Sequence, residues 1–343
     1  MNKKNINIQE NFNLGLQNFK KNNLKDAENF FKEVLNNNSD HLESIFFLGI
    51  LQAKKKDFNK AKDFFIKVTQ INSSHIDAHY NLGIVFNELK DFQNSINYYK
   101  KAIQIDSNHA DAHNNLGLVF YKLKDFQNSI NYYKKAIQID SNNVHAYNNF
   151  GNSLIGLYRT KEAVDYYKKA IEIDSNYTKA HGNLGIAFYE LREFQKAISC
   201  HKKAIQLDPN NLNSHNNLGI IFHQLRQFQN AKSYFEKAMQ IDPNHPDVNF
   251  SFGMLLLSMS DFKKGLIKYE WRKKLPQNIN KFKNIKGLEW QGENLNNKTI
   301  LILFEQGIGD IIQFSRYIYL IEKEYSANII IKTDKKFAHL FSK

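Results

Sequence analysis

Eight glycines recur along the chain at a constant interval of 34 residues. A leucine or phenylalanine precedes each one, and a small residue follows twelve positions later. Sixteen positions after each glycine stands an aromatic residue, except in the sixth period, where it is His201. The apolar residues of each period fall at helical spacing in two segments, which predicts two helices joined by a turn. The glycines are Gly15, Gly49, Gly83, Gly117, Gly151, Gly185, Gly219 and Gly253.

This period and its pattern resemble the tetratricopeptide repeat (TPR), a helix–turn–helix unit. One such hairpin cannot bury its apolar face alone, whereas stacked neighbours share a continuous core. The resemblance implies a mainly α fold, an α-solenoid of eight TPR hairpins wound into a right-handed superhelix with a concave groove. We expect an N-terminal tail at 1–7, eight repeats at 8–279, a linker at 280–298, and an incomplete α/β Rossmann-like βαβ segment at 299–343.

The net charge of +13 raises nucleic acid as a partner. Much of the excess lies in lysine pairs that recur once per repeat on a predicted solvated helix face, which favours a surface without nucleic-acid binding. The single cysteine excludes a disulfide framework. The start, MNKKNINIQENF, has no apolar h-region, and the longest apolar stretch, near Met254 to Leu257, is too short to span a bilayer. We therefore expect a cytoplasmic protein.

Asparagine occupies the position two residues before the repeat glycine in six of eight repeats. About 13% of the chain is asparagine, so chance would place about one asparagine at eight such positions. Phe47 and Ser251 interrupt the series. We call these six residues the asparagine column: Asn13, Asn81, Asn115, Asn149, Asn183 and Asn217.

The asparagine column should face the groove, because it lies on the first helix beside the buried leucine. A carboxamide carries an acceptor and two donors, so it can pair with both the C=O and the N–H of an extended peptide. The column is similar to the TPR arm of O-GlcNAc transferases, which implies a partner that is a protein or an extended peptide. The alternative is that each asparagine bonds the backbone of a neighbouring helix.

Four histidines form a second column, with Tyr147 in the gap. Side chains contributed once per stacked repeat cannot converge on one ion at ~2.0–2.1 Å, so we expect packing and no metal site. Cys200 stands where sibling repeats carry Tyr98, Tyr132 and Tyr166, and we expect it to be structural. The histidines are His79, His113, His181 and His215.

The last 75 or so residues carry a different pattern. YEWR, a W-x-G-E-x-L motif, the strand-like KTILIL and then EQGIGDIIQFSRY resemble the junction between a TPR array and a heptosyltransferase-like glycosyltransferase domain of the GT-B type. The apolar run Thr299–Phe304 predicts a buried parallel strand. Glu305–Gly309 predicts a loop, a helix should begin at Asp310, and Asn328–Ile331 predicts a second strand.

The loop residues Gln306, Gly307 and Gly309 are candidates for contacts with a ligand, since glycine permits close backbone approach. The dinucleotide fingerprint G-x-G-x-x-G fails, because Ile312 occupies its third glycine position. The resemblance implies that Asp310 is a base that deprotonates an acceptor hydroxyl. Arg316 and Gln313 replace the proline and histidine of the family pattern, and the alternative is that Asp310 caps the helix.

The sequence contains only the beginning of such a domain, so we expect no enzymatic activity and no cofactor for this chain. A sugar nucleotide is implied only for a complete relative. The function that we expect is polypeptide binding in the groove. Two alternatives stay open: the substrate-binding part of an active glycosyltransferase, and an assembly scaffold that does not recognise a peptide backbone.

Overall fold

The structure, a computed structural model, describes residues 3–282, 290, 292–303 and 308–332. The chain divides into two compact units, Met1–Leu275 and Pro276–Lys343. Each unit is described by itself below.

The first unit consists of sixteen described α-helices in eight consecutive hairpins, which confirms the predicted α-solenoid. Within each hairpin the two helices pack against each other, and the second packs against the first helix of the next repeat. The first helices are α1 (Lys3–Lys20), α3 (Leu42–Lys54), α5 (Ile76–Glu88), α7 (Ala110–Lys122), α9 (Val144–Gly156), α11 (Thr178–Glu190), α13 (Leu212–Gln224) and α15 (Pro246–Ser258). The second helices are α2 (Leu24–Asn37), α4 (Phe58–Ile71), α6 (Phe92–Ile105), α8 (Phe126–Ile139), α10 (Thr160–Ile173), α12 (Phe194–Leu207), α14 (Phe228–Ile241) and α16 (Phe262–Tyr269). Since α1 begins at Lys3, most of the predicted tail at 1–7 is helical.

The repeat glycines permit the close approach of the two helices in a hairpin. A Cβ built on Gly117 would lie 2.7 Å from the ring of Tyr133, which is fully buried. Such a distance is far below the ~3.5–4.0 Å at which carbon atoms pack best. The spacing of sixteen residues between glycine and ring in the sequence is therefore a packing relationship between the two helices of one repeat.

The turn between the two helices of each hairpin contains one residue in the left-handed region, with φ between 57° and 63°. None of these residues is a glycine, although such a φ is strained for residues with a Cβ. The turn is thus fixed by the packing of the helices on either side of it. The residues are Asn22, Lys56, Lys90, Lys124, Tyr158, Arg192, Arg226 and Ser260.

The eighth repeat ends differently from the others. Its second helix spans only Phe262–Tyr269 and continues as a 3₁₀ helix, Glu270–Lys274. Arg272 forms an ion pair with Glu270, and its guanidinium lies 4.8 Å from the ring centroid of Tyr269. Earlier repeats carry an alanine or a valine at the position of Arg272, where the second helix continues.

The second unit contains a short helix and a βαβ connection. Its elements are α17 (Pro276–Phe282), β1 (Thr299–Leu303), α18 (Ile308–Glu324) and β2 (Asn328–Lys332). The two strands are parallel, with Thr299 opposite Asn328 and Leu303 opposite Lys332. The predicted order of strand, helix and strand is therefore correct, whereas the Rossmann-like assignment remains a prediction.

Three details of the second unit differ from the predictions. The strand is not buried on both faces: Leu301 and Ile330 are 40% and 49% exposed. The described helix that contacts the sheet, α18, packs against β2, and a helix on one face shields only alternate side chains. The helix also begins at Ile308, so Gly309 lies within it and not in the predicted loop. In addition, α17 extends into the predicted linker, up to Phe282.

Candidate functional site

The asparagine column runs through the first helices of five consecutive repeats, from Asn81 to Asn217. These five side chains are half-buried, and Asn13 is exposed. In the second repeat the column is interrupted by Phe47, which belongs to an aromatic cluster. Its ring stacks on that of Phe31 at a centroid distance of 5.4 Å and meets the ring of Phe19 edge-on at 5.3 Å. The cluster separates Asn13 from the rest of the column.

A network of side-chain hydrogen bonds connects the central asparagines to one another across repeats. Asn149 donates from Nδ2 to Oδ1 of Asn114 at 3.2 Å. Asn114 in turn donates to Oδ1 of Asn115 at 3.2 Å, and Asn115 donates to the hydroxyl of Tyr80 at 2.9 Å. Burial, with a contribution from Asp111, raises the pKa of Tyr80 to about 12. The hydroxyl therefore stays protonated, and the network contains only neutral groups at this end.

The network continues into the sixth repeat. Asn148 donates to Oδ1 of Asn149 at 3.5 Å. Asn183 donates both of its Nδ2 protons, to Oδ1 of Asn148 at 2.9 Å and to Oδ1 of Asn152 at 3.0 Å. Tyr167 also donates to Oδ1 of Asn152, at 2.8 Å. The polar chain thus runs without a break from Tyr80 in the third repeat to Asn183 in the sixth.

The hydrogen-bonding capacity that remains free differs along the column. A carboxamide has two N–H donors and an oxygen with two lone pairs. Asn149 uses one donor and one lone pair in the network, which leaves one of each. Asn115 bonds the hydroxyls of Tyr80 and Tyr99 through its amide N–H groups and accepts from Asn114, which leaves one lone pair. Asn183 has spent both donors and offers only its oxygen.

The two outer members of this continuous column are independent of the network. Asn81 donates to the carbonyl of Asp77, one turn earlier in its own helix, at 2.7 Å. The side chain of Asn217 has no hydrogen-bond partner among the described residues. Asn81 thus bonds the backbone of its own helix and not that of a neighbouring helix, whereas the central asparagines bond neighbouring side chains.

Sequence reasoning missed the residues that support the column. Asn114 and Asn148 lie one position before column members and are 8% and 3% exposed. A signal for them exists in the sequence, because the pair Asn-Asn recurs at 114–115, 148–149 and 216–217. Asn216 is also buried, and its Oδ1 has no partner among the described residues.

The histidine column packs as predicted and has an additional role. In each case Nε2 donates to a carbonyl in the loop that precedes the helix, for example from His79 to Ser73 at 2.8 Å and from His113 to Ser107 at 3.1 Å. His181 and His215 repeat this bond with Ser175 and Pro209, both at 3.0 Å. Each imidazole therefore fixes the turn between two repeats, and burial lowers the pKa of His113.

The described residues include no group of three or more His, Cys, Asp or Glu side chains that could hold a metal ion. Cys200 is half-buried, and burial raises the pKa of its thiol to about 11. A thiol with such a pKa is a poor nucleophile near neutral pH. None of the described helices is long and apolar enough to cross a bilayer.

The candidate residues near the second unit's helix can be placed only in part. Gln306 and Gly307 lie outside the described residues. Gly309 and Asp310 belong to the first turn of α18 by their backbone. The backbone places Asp310 at the third residue of α18, and both roles expected for its side chain, base and cap, stay predictions.

Models of the tetratricopeptide repeat match residues 42–75, 110–143, 144–177, 178–211 and 213–245, and a further TPR repeat model matches residues 85–124. Together these matches include more than half of the chain. The chain belongs to the tetratricopeptide repeat family. The TPR array matched in this way coincides with the repeats that carry the central asparagines.

Solved structures support the same fold. The TPR array resembles a tetratricopeptide repeat protein from Parabacteroides merdae, with a TM-score of 0.60, 14% identity, and coverage of 73% of this chain and 99% of that one. PilF of Pseudomonas aeruginosa gives a TM-score of 0.53 and 22% identity over 61% of this chain and 96% of that one. A chain of the APC/C hetero-tetramer Cut9–Hcn1 gives a TM-score of 0.60 and 16% identity, over 69% of this chain and 46% of that one. No curated protein sequence matched.

Proposed function

We propose that the TPR array binds an extended polypeptide along the asparagine column, mainly through the polypeptide backbone. The observation that carries this proposal is the free capacity of Asn149, which retains one donor and one lone pair. That pair of groups complements the C=O and the N–H of one peptide residue. Recognition of this kind makes little demand on the side chains of the bound polypeptide.

The spacing of the column supports the same proposal. Packed helices lie roughly 8–10 Å apart, and three residues of extended chain at about 3.3 Å each span that distance. One column asparagine would therefore meet every third residue of the polypeptide. The network holds the central carboxamides in one orientation, so less side-chain freedom is lost when a polypeptide binds. Asn183 would contribute an acceptor for a backbone N–H.

A binding experiment can separate recognition from folding, because Asn81 and Asn217 lie outside the network. The probe is a fluorescein-labelled pool of random 15-residue peptides, followed by fluorescence polarisation. We expect the double variant Asn81→Ala/Asn217→Ala to bind at least about fivefold more weakly, since each lost bond contributes about 0.5–1.5 kcal/mol. Asn131→Ala, an exposed asparagine on a second helix, is the matched control and should bind normally. Equal binding by all three proteins would contradict the proposal and favour an assembly scaffold.

A second candidate function rests on the βαβ connection of the second unit. A parallel strand pair joined by a helix is what the resemblance to TPR–glycosyltransferase fusions predicts after the array. We propose on this ground that the chain derives from such a fusion, with the array as its substrate-binding part and Asp310 as the candidate base. Calorimetric titration and turnover assays with sugar nucleotides test whether the array serves an active enzyme. Turnover that Asp310→Asn abolishes would establish an active enzyme.

A further inference from the structure

A cavity of about 360 Å³ lies where the fifth and sixth repeats meet. It lies between α10, α11 and α12, and none of the asparagine column lines it. Its volume is at the lower end of the range of about 300–1,000 Å³ that is typical of ligand sites. Its lining residues are Lys168, Ile171, His181, Leu184, Ser199, Cys200 and Lys203.

The sibling repeats show what normally fills this space. In the third, fourth, fifth and seventh repeats the position of Cys200 carries a tyrosine whose ring is stacked on a phenylalanine. In the third repeat the centroids of Tyr98 and Phe86 are 5.2 Å apart with an interplanar angle of 7°, and His79 lies 6.0 Å from the same tyrosine ring. Lys101 completes the arrangement, with its ammonium 5.1 Å from the ring centroid.

The seventh repeat has the same arrangement around Tyr234. The centroid of Phe222 lies 5.4 Å and that of His215 6.1 Å from the tyrosine ring. The ammonium of Lys237 is 5.8 Å from it. A phenylalanine, a histidine and a lysine therefore surround the tyrosine in repeats on both sides of the sixth.

The sixth repeat retains these three partners and lacks only the ring. Phe188, His181 and Lys203 occupy the equivalent positions, and Cys200 replaces the tyrosine. Lys203 has no ring beneath it, and its ammonium donates to Gln206 at 3.4 Å. Lys196 lies over the ring of Phe188 at 5.3 Å, but its side chain is largely exposed and also pairs with Glu193. It can therefore move to admit another aromatic ring.

We propose that this cavity binds a tyrosine or phenylalanine side chain of a partner polypeptide, in the place that a tyrosine of the chain occupies in sibling repeats. Exposed Ser199 and Lys168 mark the mouth, whereas buried His181 and Leu184 form the floor. The lining includes two lysines and no acidic residue, so acidic residues beside the aromatic one are favoured. The ring belongs to a polypeptide and not to a small aromatic molecule, because a single ring buries too little apolar surface to bind more than weakly by itself.

The single cysteine of the chain provides the readout. The rate of alkylation of Cys200 is measured at about pH 9, because the thiolate is the reactive species. Three ligands are added in separate experiments: N-acetyl-Glu-Tyr-Glu-amide, the same peptide with alanine in place of tyrosine, and p-cresol. At a concentration near four times its dissociation constant, the tyrosine peptide should slow alkylation about fivefold. The alanine peptide should have no effect, and p-cresol should protect less than the tyrosine peptide does.

A rearranged variant tests whether the cavity, and not the thiol, carries binding. Cys200→Tyr/Tyr234→Cys fills the cavity of the sixth repeat and opens the equivalent one in the seventh, and the tyrosine peptide should now protect the introduced thiol. Equal alkylation rates with the tyrosine and alanine peptides on the wild-type protein would overturn the proposal. Protection by p-cresol without protection by the tyrosine peptide would overturn the assignment to a polypeptide. Neither result depends on the asparagine column, so this proposal and the proposed function can fail separately.

Discussion

Asn149 donates a hydrogen bond from Nδ2 to Oδ1 of Asn114, its neighbour in the preceding repeat, at 3.2 Å. This bond joins the first helices of two consecutive repeats, α7 and α9. A polar bond at this place selects one register between neighbouring helices, because a shifted register would leave the buried carboxamide oxygen of Asn114 unpaired. The network therefore contributes to the geometry of the array as well as to its surface.

The network predicts unequal costs for two substitutions in the same column. Asn183→Ala removes both donors and leaves Oδ1 of Asn148 unpaired at 3% exposure. We expect a loss of about 1–2 kcal/mol in the free energy of unfolding. Asn217→Ala removes no bond among the described residues and should change stability by less than about 0.5 kcal/mol. Urea unfolding of both variants measures the difference, and equal losses would show that the network contributes nothing.

Two glycines on first helices predict opposite effects of the same substitution. In Gly117→Ala the new Cβ would meet the buried ring of Tyr133 at 2.7 Å, and we expect a loss of about 1–3 kcal/mol from overpacking. In Gly182→Ala the nearest atom is Oγ of Ser214 at 3.9 Å. This substitution should stabilise the protein by about 0.5–1 kcal/mol, since alanine is the better helix former. A loss of stability in both variants would refute the assignment of close approach to the repeat glycine.

The hairpin turns contain strain that can be released. Tyr158 has φ of 60° and is 93% exposed, so its ring contributes little packing. A left-handed conformation costs residues with a Cβ about 1–2 kcal/mol. Glycine avoids this cost but loses more backbone entropy on folding. Tyr158→Gly should therefore increase the free energy of unfolding by about 0.5–1 kcal/mol and raise the melting temperature. Asn131→Gly, at an exposed position inside α8, is the control and should lower stability.

His201 predicts a loss of stability in acid. It is fully buried, and burial lowers its pKa from 6.5 to about 4. The unfolded chain therefore binds one more proton than the folded chain between about pH 6.5 and pH 4, and stability falls as the pH decreases through that window. The full effect is about 3 kcal/mol. The matched variant is His201→Phe, because the seventh repeat carries a phenylalanine, Phe235, at this position. In denaturant titrations at pH 7 and pH 4, the variant should lose about 3 kcal/mol less free energy of unfolding than the wild-type protein.

Most of the first unit could be predicted from the sequence, because the constraint repeats every 34 residues. The glycine before a ring at sixteen positions specifies one helix contact, and the first seven repeats each contain it. The second unit has no such repetition. The apolar run from Thr299 indicated a strand correctly, but its burial depends on which elements cover the sheet, and a run of five apolar residues carries no information about that.

The candidate site was predictable only as a column of positions. Six asparagines at one place in the repeat could be found by counting, and their partners could not. Asn115 bonds Tyr80, whereas Asn183 bonds Asn148 and Asn152, and the choice depends on side-chain rotamers set by the packing of neighbouring helices. The vacancy beside Cys200 was likewise invisible, because a cysteine in place of a tyrosine leaves a cavity only if the surrounding helices do not close upon it.

The proposal that the asparagine column holds a polypeptide by its backbone is tested most directly by removing backbone donors from the ligand. A random 15-residue peptide pool and the same pool with N-methylated amides at every third residue are compared by fluorescence polarisation. Loss of backbone N–H groups should weaken binding at least about tenfold, which corresponds to about 1.4 kcal/mol, and Asn115→Ala/Asn149→Ala should reduce this difference. Equal affinity of the two pools for the wild-type protein would contradict backbone recognition.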